Sequence, residues 1–363
     1  MSEATTALGG DAPTDAGPAG SAGAAGAIAS AHAGAESVAP AGGARAPACT
    51  HPETTPLYGG LLARCVACGV VRTARDPRFV YGRSYFVSDE ADGYDFDSTY
   101  ARIADAERFG AELDRLAALG LRGRVLDVGC ATGAFLALAR ARGWSPTGVE
   151  LADFARAEAV RRSGARVERT LDDLPAGATF DVVTLHHVLE HIHDPVAFLA
   201  CGVRPRVGRL LLVEVPNFAS LASRAEGPAW QDLRPEQHVF HYTAPTLAAV
   251  LEASGFAVRS TGTLWAPVWS LRSAVTLARR LPHLRGGDPR RHSELQAPGD
   301  GRTPFATPAA SAASAAVAMR GWRPPTGVKR LLTEASRRAL APVVRRLEQA
   351  GLGERLVVEA VPR

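Results

Sequence analysis

Between Arg124 and Glu150 the chain switches between short apolar runs and polar breaks in a way that predicts one β–α–β unit. Val125, Leu126 and Val128 form a near-continuous apolar run, the pattern of a strand buried on both faces of a parallel sheet. Phe135, Leu136, Leu138 and Ala139 recur at helical spacing, and Gly143 ends that helix. Thr147–Glu150 reads as a second strand that finishes on a carboxylate. The same alternation continues downstream, with a helix over about 153–162, a third strand over Ala165–Glu168, a fourth over Phe180–Leu185 and a fifth from Gly208 that Pro216 breaks. Thr243 is placed to cap a helix from Ala244 to Ser254, with Gly255 as its stop. Phe256–Thr261 and Arg355–Val361 supply a sixth and a seventh strand. Upstream, Ile103, Ala106, Phe109, Leu113, Leu116 and Leu119 form a helical stripe. Strands alternating with helices predict an α/β fold built on a mostly parallel sheet.

The turn after the first strand carries the chemistry. It reads Asp127-Val-Gly129-Cys130-Ala131-Thr-Gly133, with glycines that let the backbone approach a ligand and the next helix. Glu150, about 20 residues on, is placed to hold a ribose diol. The turn is Gly-x-x-x-Gly, so a nicotinamide dinucleotide is disfavoured, and the lysine of a phosphate-binding loop is absent. Acids at both strand ends and no basic residue in the turn favour a cationic, phosphate-free nucleoside.

S-adenosylmethionine is such a ligand. Here the chain resembles the class I S-adenosylmethionine-dependent methyltransferases of the type-23 methyltransferase-domain family, which includes ubiquinone-type O-methyltransferases. Their glycine motif reads LDVGCGTG; this chain has Leu126-Asp-Val-Gly-Cys-Ala-Thr-Gly133. Ala131 replaces the middle glycine, which allows close approach with φ kept negative. The resemblance implies a Rossmann-like seven-stranded sheet with an antiparallel last strand. It also implies that Asp127, Gly129, Cys130 and Gly133 hold the methionine end and Glu150 the ribose. Leu171 and Asp172 fall where relatives recognise adenine, although Asp172 and Asp173 equally suit a solvated turn or cap. His186 falls against the sulfonium end or the ribose, and Arg108 is within plausible reach of the methionine carboxylate.

Two further phrases fit this family. His186-His-Val-Leu-Glu-His191-Ile-His-Asp-Pro195 resembles its hHVLEHvpDP phrase, in which ubiquinone-type relatives use acids for a divalent metal. His187 stands where an acid would be. Helical spacing would gather His187, Glu190 and His191 at the pocket mouth, or have them cap and brace the loop, with His193 at the surface. The second phrase, VPN…W…H…HFT…L…GF, matches Val215-Pro-Asn217, Trp230, His238, His241-Tyr-Thr243 and Gly255-Phe256. His238 and His241 lie beyond the fifth strand, at the sheet edge where ligands bind, and are the candidate catalytic bases. One is expected to be functional and one structural, with His238 favoured as functional. Tyrosines over 81–100 would shield the methyl donor or pack as core.

Composition adds the appendages. Residues 1–47 are almost all Ala, Gly, Ser, Thr and Pro, with no large apolar residues beyond Leu8, Ile28 and Val38, so a disordered tail is expected. Residues 48–78 carry Cys49, His51, Cys65 and Cys68. The Cys65-x-x-Cys68-Gly knuckle suits a zinc ribbon, and a hairpin with reduced thiols is the alternative. Residues 79–120 read as a lid and leading helix, 121–263 as the donor-binding core, 264–350 as a helical and linker insertion, and 351–363 as the last core strand. Within the insertion, 328–349 is a basic amphipathic helix kinked at Pro342, suited either to packing on the sheet or to peripheral contact with an anionic membrane. The net charge of +4, from 41 basic against 37 acidic residues, gives no reason to expect nucleic acid. Five cysteines do not form a disulfide framework, no apolar run spans a bilayer, and a cytoplasmic protein is expected. The expected reaction is methyl transfer to a hydroxyl of a small molecule such as a sugar, glycan, lipid, quinone or secondary metabolite. C- or N-methylation of a nucleotide-sugar, and a non-catalytic S-adenosylmethionine-binding or interaction module, are the alternatives.

Overall fold

Val125, Leu126 and Val128 are at most 4% exposed, and the strand they build is an interior strand of the molecule's main sheet. The structure is a computed structural model that describes residues 49–77, 79, 81–87, 99–265 and 341–363, with backbone alone at 84, 87 and 99–105. The expected tail over 1–47, the tyrosine at 94, the side chains of Tyr100 and Ile103, and the stretch 266–340 lie outside the described residues. That stretch includes most of the basic helix expected over 328–349.

The main sheet has seven strands. In chain order they are β4 (Arg124–Val128), β5 (Ser145–Val149), β6 (Arg166–Glu168), β7 (Phe180–His186), β8 (Val207–Pro216), β10 (Phe256–Leu264) and β11 (Arg355–Pro362). Their order across the sheet is β10-β11-β8-β7-β4-β5-β6. The pairs among β6, β5, β4, β7 and β8 are parallel, and β11 runs antiparallel between β8 and β10. This is the Rossmann-like sheet with an antiparallel last strand that the sequence predicts.

The connecting helices follow the same logic. Helix Thr99–Ala118 buries Ala106, Phe109, Leu113 and Leu116, whereas Leu119, expected on the same stripe, lies beyond the helix end and is 58% exposed. It packs with helix Ala134–Ala141 and Trp144 into one apolar cluster on the sheet. Helix Asp153–Ser163 stops at Gly164, which takes the left-handed conformation that ends helices. Helix Ala244–Ala253 is capped by Thr243, paired with Thr246, and followed by Gly255 at φ 85. The His186–Pro195 phrase departs from expectation. His187 turns sharply at φ 55, and only Leu189–His191 is helical, as a single 3₁₀ turn. A residue in that conformation cannot continue a helix, so the expected one-to-two-turn helix is replaced by a kink.

A second, four-stranded antiparallel sheet is formed by β1 (Thr54–Leu57), β2 (Leu62–Cys65), β3 (Val71–Thr73) and β9 (Phe240–His241). Its fourth strand comes from far along the chain. Leu62 and Val71 share an apolar cluster with Phe218, Ala222, Trp230 and Leu233 from the segment after β8. At the other end, Leu264 pairs with Arg355 and Arg355 with Pro216, so β10 leaves and β11 returns at the carboxyl edge of the parallel strands. Residues 341–349 are helical, and Glu348 ties them to this edge by accepting the Trp265 N–H at 2.9 Å.

Candidate functional site

β4 delivers its turn to the carboxyl edge of the sheet. Gly129 and Gly133 have φ of 73° and 80°. A side chain at 129 would strike Val188, and one at 133 would lie 2.7 Å from the backbone of Ala159. Gly133 therefore admits close helix packing, and Gly129 admits the loop after β7. Ala131, expected at negative φ, sits at φ 46. Its N–H donates to Glu150 Oε2 at 3.0 Å, while Glu150 Oε1 accepts from Ala152 N at 2.9 Å. Burial raises the Glu150 pKa against these two hydrogen bonds. An ionised carboxylate has about four acceptor sites, so Glu150 keeps capacity for a diol. The Cys130 thiol faces the core, against Gly148, and the turn receives only its backbone.

Behind this turn lies a buried charge cluster. Asp127, 3% exposed, accepts from Thr184 Oγ1 at 2.8 Å, and its Oδ1 lies 3.2 Å from His186 Nδ1. The other ring nitrogen of His186 is 3.0 Å from Glu112 on helix Thr99–Ala118. Burial opposes a charge on His186, but Glu112 and Asp127 outweigh it and lift its pKa to about 10. Two carboxyl groups thus flank one imidazolium, while Arg156 donates to the Glu150 carbonyl at 3.0 Å and Arg162 to Thr132 Oγ1 in the turn at 3.0 Å. Arg108 binds a carboxylate of the protein itself. Its guanidinium is bound to the fully buried Glu214 at 2.5 Å, which Arg355 and His187 also approach. Glu214 is held well below the usual carboxylate range; burial opposes this, but those three cations prevail.

Leu171 is buried at the end of β6, and Asp172 is exposed beside it. Asp173, not Asp172, makes the cap: its Oδ2 accepts from the Thr170 N–H and hydroxyl. Asp172 is thus not used by the turn.

A second cluster lies along the same edge. Glu190, His191 and His238 bring donor atoms within 4.8 Å of one another. Glu190 is 1% exposed, and its Oε2 has no hydrogen-bond partner among the described residues, whereas Oε1 lies 3.2 Å from His187 Nδ1. His191 Nδ1 is 3.1 Å from the Gln237 carbonyl and 2.9 Å from the Tyr81 hydroxyl. A proton on Nδ1 suits the Gln237 carbonyl, which only accepts, and a lone pair there suits the Tyr81 hydroxyl as donor. His238 packs edge-on against His191, with ring centres 4.8 Å apart, and His241 is 6.3 Å from it. His238 is held well below its ordinary pKa by burial, with His191 and His241 adding to this, and burial brings His241 down to about 4. Both are neutral near pH 7 and able to accept a proton. His193 lies outside the cluster, at the surface, 2.8 Å from Asp76.

Cys49, His51, Cys65 and Cys68 converge at the connection between β2 and β3, with donor atoms within 4.8 Å of one another. Cys49 and Cys65 sulfurs are 3.6 Å apart, and Cys68 Sγ is 3.4 Å from His51 Nδ1. Tetrahedral zinc with Zn–S near 2.3 Å has ligand edges of roughly 3.5–3.8 Å, so the set fits that ion. Burial opposes ionisation of Cys65, but hydrogen bonds from the Cys68 backbone and the His51 ring bring its pKa down to about 6.

Glu112, Thr184 and Thr73 escape sequence reasoning, since each acts through a partner more than fifty residues away. Only the position of Glu112 beside the Phe109–Leu113 stripe hints that it faces the sheet.

A family model described as a methyltransferase domain matches residues 100–261. No curated protein matches the chain. Among solved structures, the magnesium protoporphyrin IX methyltransferase of Synechocystis PCC 6803 with bound S-adenosylhomocysteine is 18% identical. That likeness covers 48% of this chain and 83% of the other, with a TM-score of 0.38. An S-adenosylmethionine-dependent methyltransferase from Mesorhizobium loti is 18% identical over 69% of this chain and 97% of its own, with a TM-score of 0.39. One from Archaeoglobus fulgidus is 17% identical over 73% and 100%, with a TM-score of 0.37. Among the described residues no helix is long and apolar enough to cross a membrane. Strand order, glycine turn and family match agree that residues 100–261 are a class I S-adenosylmethionine-dependent methyltransferase domain, with S-adenosylmethionine as its methyl donor.

Proposed function

We propose that the chain methylates a hydroxyl of a small-molecule acceptor, with His238 as the proton acceptor and His241 as its catalytic-site partner. The observation that carries this reading is the pairing of two unlike clusters on one sheet edge. Asp127 and Glu150 lie at the carboxyl ends of β4 and β5, with Glu112 on His186, and His238 and His241 are buried, neutral imidazoles in the segment after β8. S-adenosylmethionine supplies a methyl carbon already activated by the sulfonium charge, its electron pair staying on sulfur as the bond to the acceptor forms. Asp127 and the Gly129–Cys130–Gly133 turn hold the methionine end, and Asp127 with His186 sets the charge there. Glu150 accepts from the ribose, Leu171 covers the adenine face, and Asp172 accepts from the adenine amine. His238 takes the acceptor proton late in the transfer, and the rest of the rate comes from positioning and exclusion of water. The Cys49–His51–Cys65–Cys68 set holds a structural zinc ion.

A specific observation favours a second reading of the acceptor side. The buried Glu190 Oε2, unpartnered among the described residues, and the gathering of Glu190, His191 and His238 donor atoms within 4.8 Å both point to a cation. Glu190, His191 and His238 would then hold a divalent ion, which supplies Lewis acidity toward an acceptor hydroxyl. C- or N-methylation of a nucleotide-sugar would use the same donor pocket with a different nucleophile, and a non-catalytic binding module would keep donor binding without turnover. Incubating the protein with methyl-labelled S-adenosylmethionine and fractions of a host small-molecule extract tests these readings. Label in a methyl ether, lost in His238→Ala, supports the proposal, and turnover abolished by chelation and restored by a divalent ion other than zinc favours the second reading. Donor binding without transfer to any fraction contradicts both.

A further inference from the structure

The Cys-rich sheet and the acceptor-side histidines meet at one hydroxyl. Thr73 ends β3 and is 7% exposed, and β3 pairs with β9 so that Val71 faces His241. The Thr73 N–H donates to the Val239 carbonyl at 2.9 Å. Its Oγ1 donates to the His238 carbonyl at 2.6 Å and lies 3.0 Å from His241 Nε2. A hydroxyl has one proton, and a carbonyl can only accept it. With that proton committed to His238, Oγ1 can serve His241 only as an acceptor. Neutral His241 therefore carries its proton on Nε2 and its lone pair on Nδ1.

The opposite side of the loop is fixed as well. Val239 N donates to the Glu190 carbonyl at 2.8 Å, and the Gln237 carbonyl lies 3.1 Å from His191 Nδ1. The segment from Gln237 to His241 is thus clamped between the 3₁₀ turn after β7 and the last strand of the Cys-rich hairpin. His238 and His241 are at most 5% exposed, so water does not readily replace a lost partner.

We propose that Thr73 is a positioning residue for the acceptor side, selecting the His241 tautomer and seating the His238 main chain, and that the Cys-rich hairpin is thereby part of the active site. This rests on the reading of His238 and His241 as acceptor-side residues. In that role Thr73 acts as the orienting group acts behind a catalytic imidazole, through the nitrogen that faces away from the reaction.

The test uses the full chain labelled with ¹⁵N at histidine. Wild type is expected to show His241 protonated at Nε2, with Thr73→Ser retaining that signal and Thr73→Val redistributing it between the two nitrogens. With tritiated S-adenosylmethionine and the host extract fraction that wild type methylates, Thr73→Val is expected to lower kcat by about 10–100-fold and Thr73→Ser to restore most of it. S-adenosylmethionine affinity by calorimetry stays within about twofold in both variants, because Thr73 touches no part of the glycine turn. A wild-type His241 protonated at Nδ1, or a Thr73→Val variant with unchanged tautomer and turnover, overturns the proposal. The wild-type spectrum decides the tautomer even if Thr73→Val does not fold. If no fraction accepts methyl, the spectra still decide the positioning claim while the proposed reaction fails separately.

Discussion

Replacing Ala131 with glycine relieves a specific strain at the glycine turn. Ala131 is held at φ 46, where an L-residue other than glycine pays about 1–2 kcal/mol for the approach of Cβ to the backbone. The turn cannot easily relax, because the Ala131 N–H is committed to Glu150 and the residues on either side are bonded to β5 and to each other. Glycine removes the steric cost but adds about 0.4–1 kcal/mol of backbone entropy to the unfolded chain. The difference predicts a net stabilisation of about 0.5–1 kcal/mol. In a domain of this size that is a rise of roughly 2 °C in Tm. Urea titrations of the wild type and Ala131→Gly, followed by circular dichroism, read the free energy directly, with the slope expected to stay constant. Donor affinity should change little, since the backbone shape is retained. A variant less stable by about 1 kcal/mol or more would refute the reasoning and mean that the Ala131 methyl packs productively.

Three further outcomes follow from the same geometry. The folded state lifts His186 to about 10, well above an unfolded histidine near 6.5, so its stabilisation is present below pH 6.5 and is lost as pH rises through about 10. The loss is on the order of 5 kcal/mol, and a Glu112→Gln variant should flatten the wild-type decline in unfolding free energy over that window; parallel curves would count against the cluster. Conversely, His241 is depressed to about 4, so its contribution is present above pH 6.5 and disappears as pH falls through about 4, which should appear as acid destabilisation that His241→Asn weakens. Elemental analysis should find about one zinc per chain, lost in Cys65→Ser, and metal-free protein with its hairpin intact by circular dichroism would remove the ribbon.

The parts legible in the sequence are those that local pattern controls. β4, β7 and β8 are near-continuous apolar runs, and each became a buried strand of the main sheet. Thr243 and Gly255 mark the helix between them because capping is decided within a few residues. What escaped depends on distant partners or on one unusual dihedral. Strand β9 has only two residues, and it exists because β3, more than 160 residues earlier, offers an edge. The kink at His187 interrupts a phrase whose spacing looks helical, and the Glu214 carbonyl, which accepts the His187 N–H, helps hold it. Arg108 looked free to reach a ligand until Glu214, buried in β8, claimed it. Glu112 and Thr73 carry no motif, and their meaning comes wholly from the histidines they meet.

The central claim is that the acid-flanked turn after β4 binds a cationic nucleoside methyl donor. Isothermal calorimetry on the full chain tests it most directly, with S-adenosylmethionine, S-adenosylhomocysteine and NADH as ligands. Both adenosyl ligands are predicted to bind, and Asp127→Ala and Glu150→Ala should each weaken binding by about tenfold or more through loss of a buried charged partner. Tight NADH binding with no detectable S-adenosylmethionine binding would contradict it.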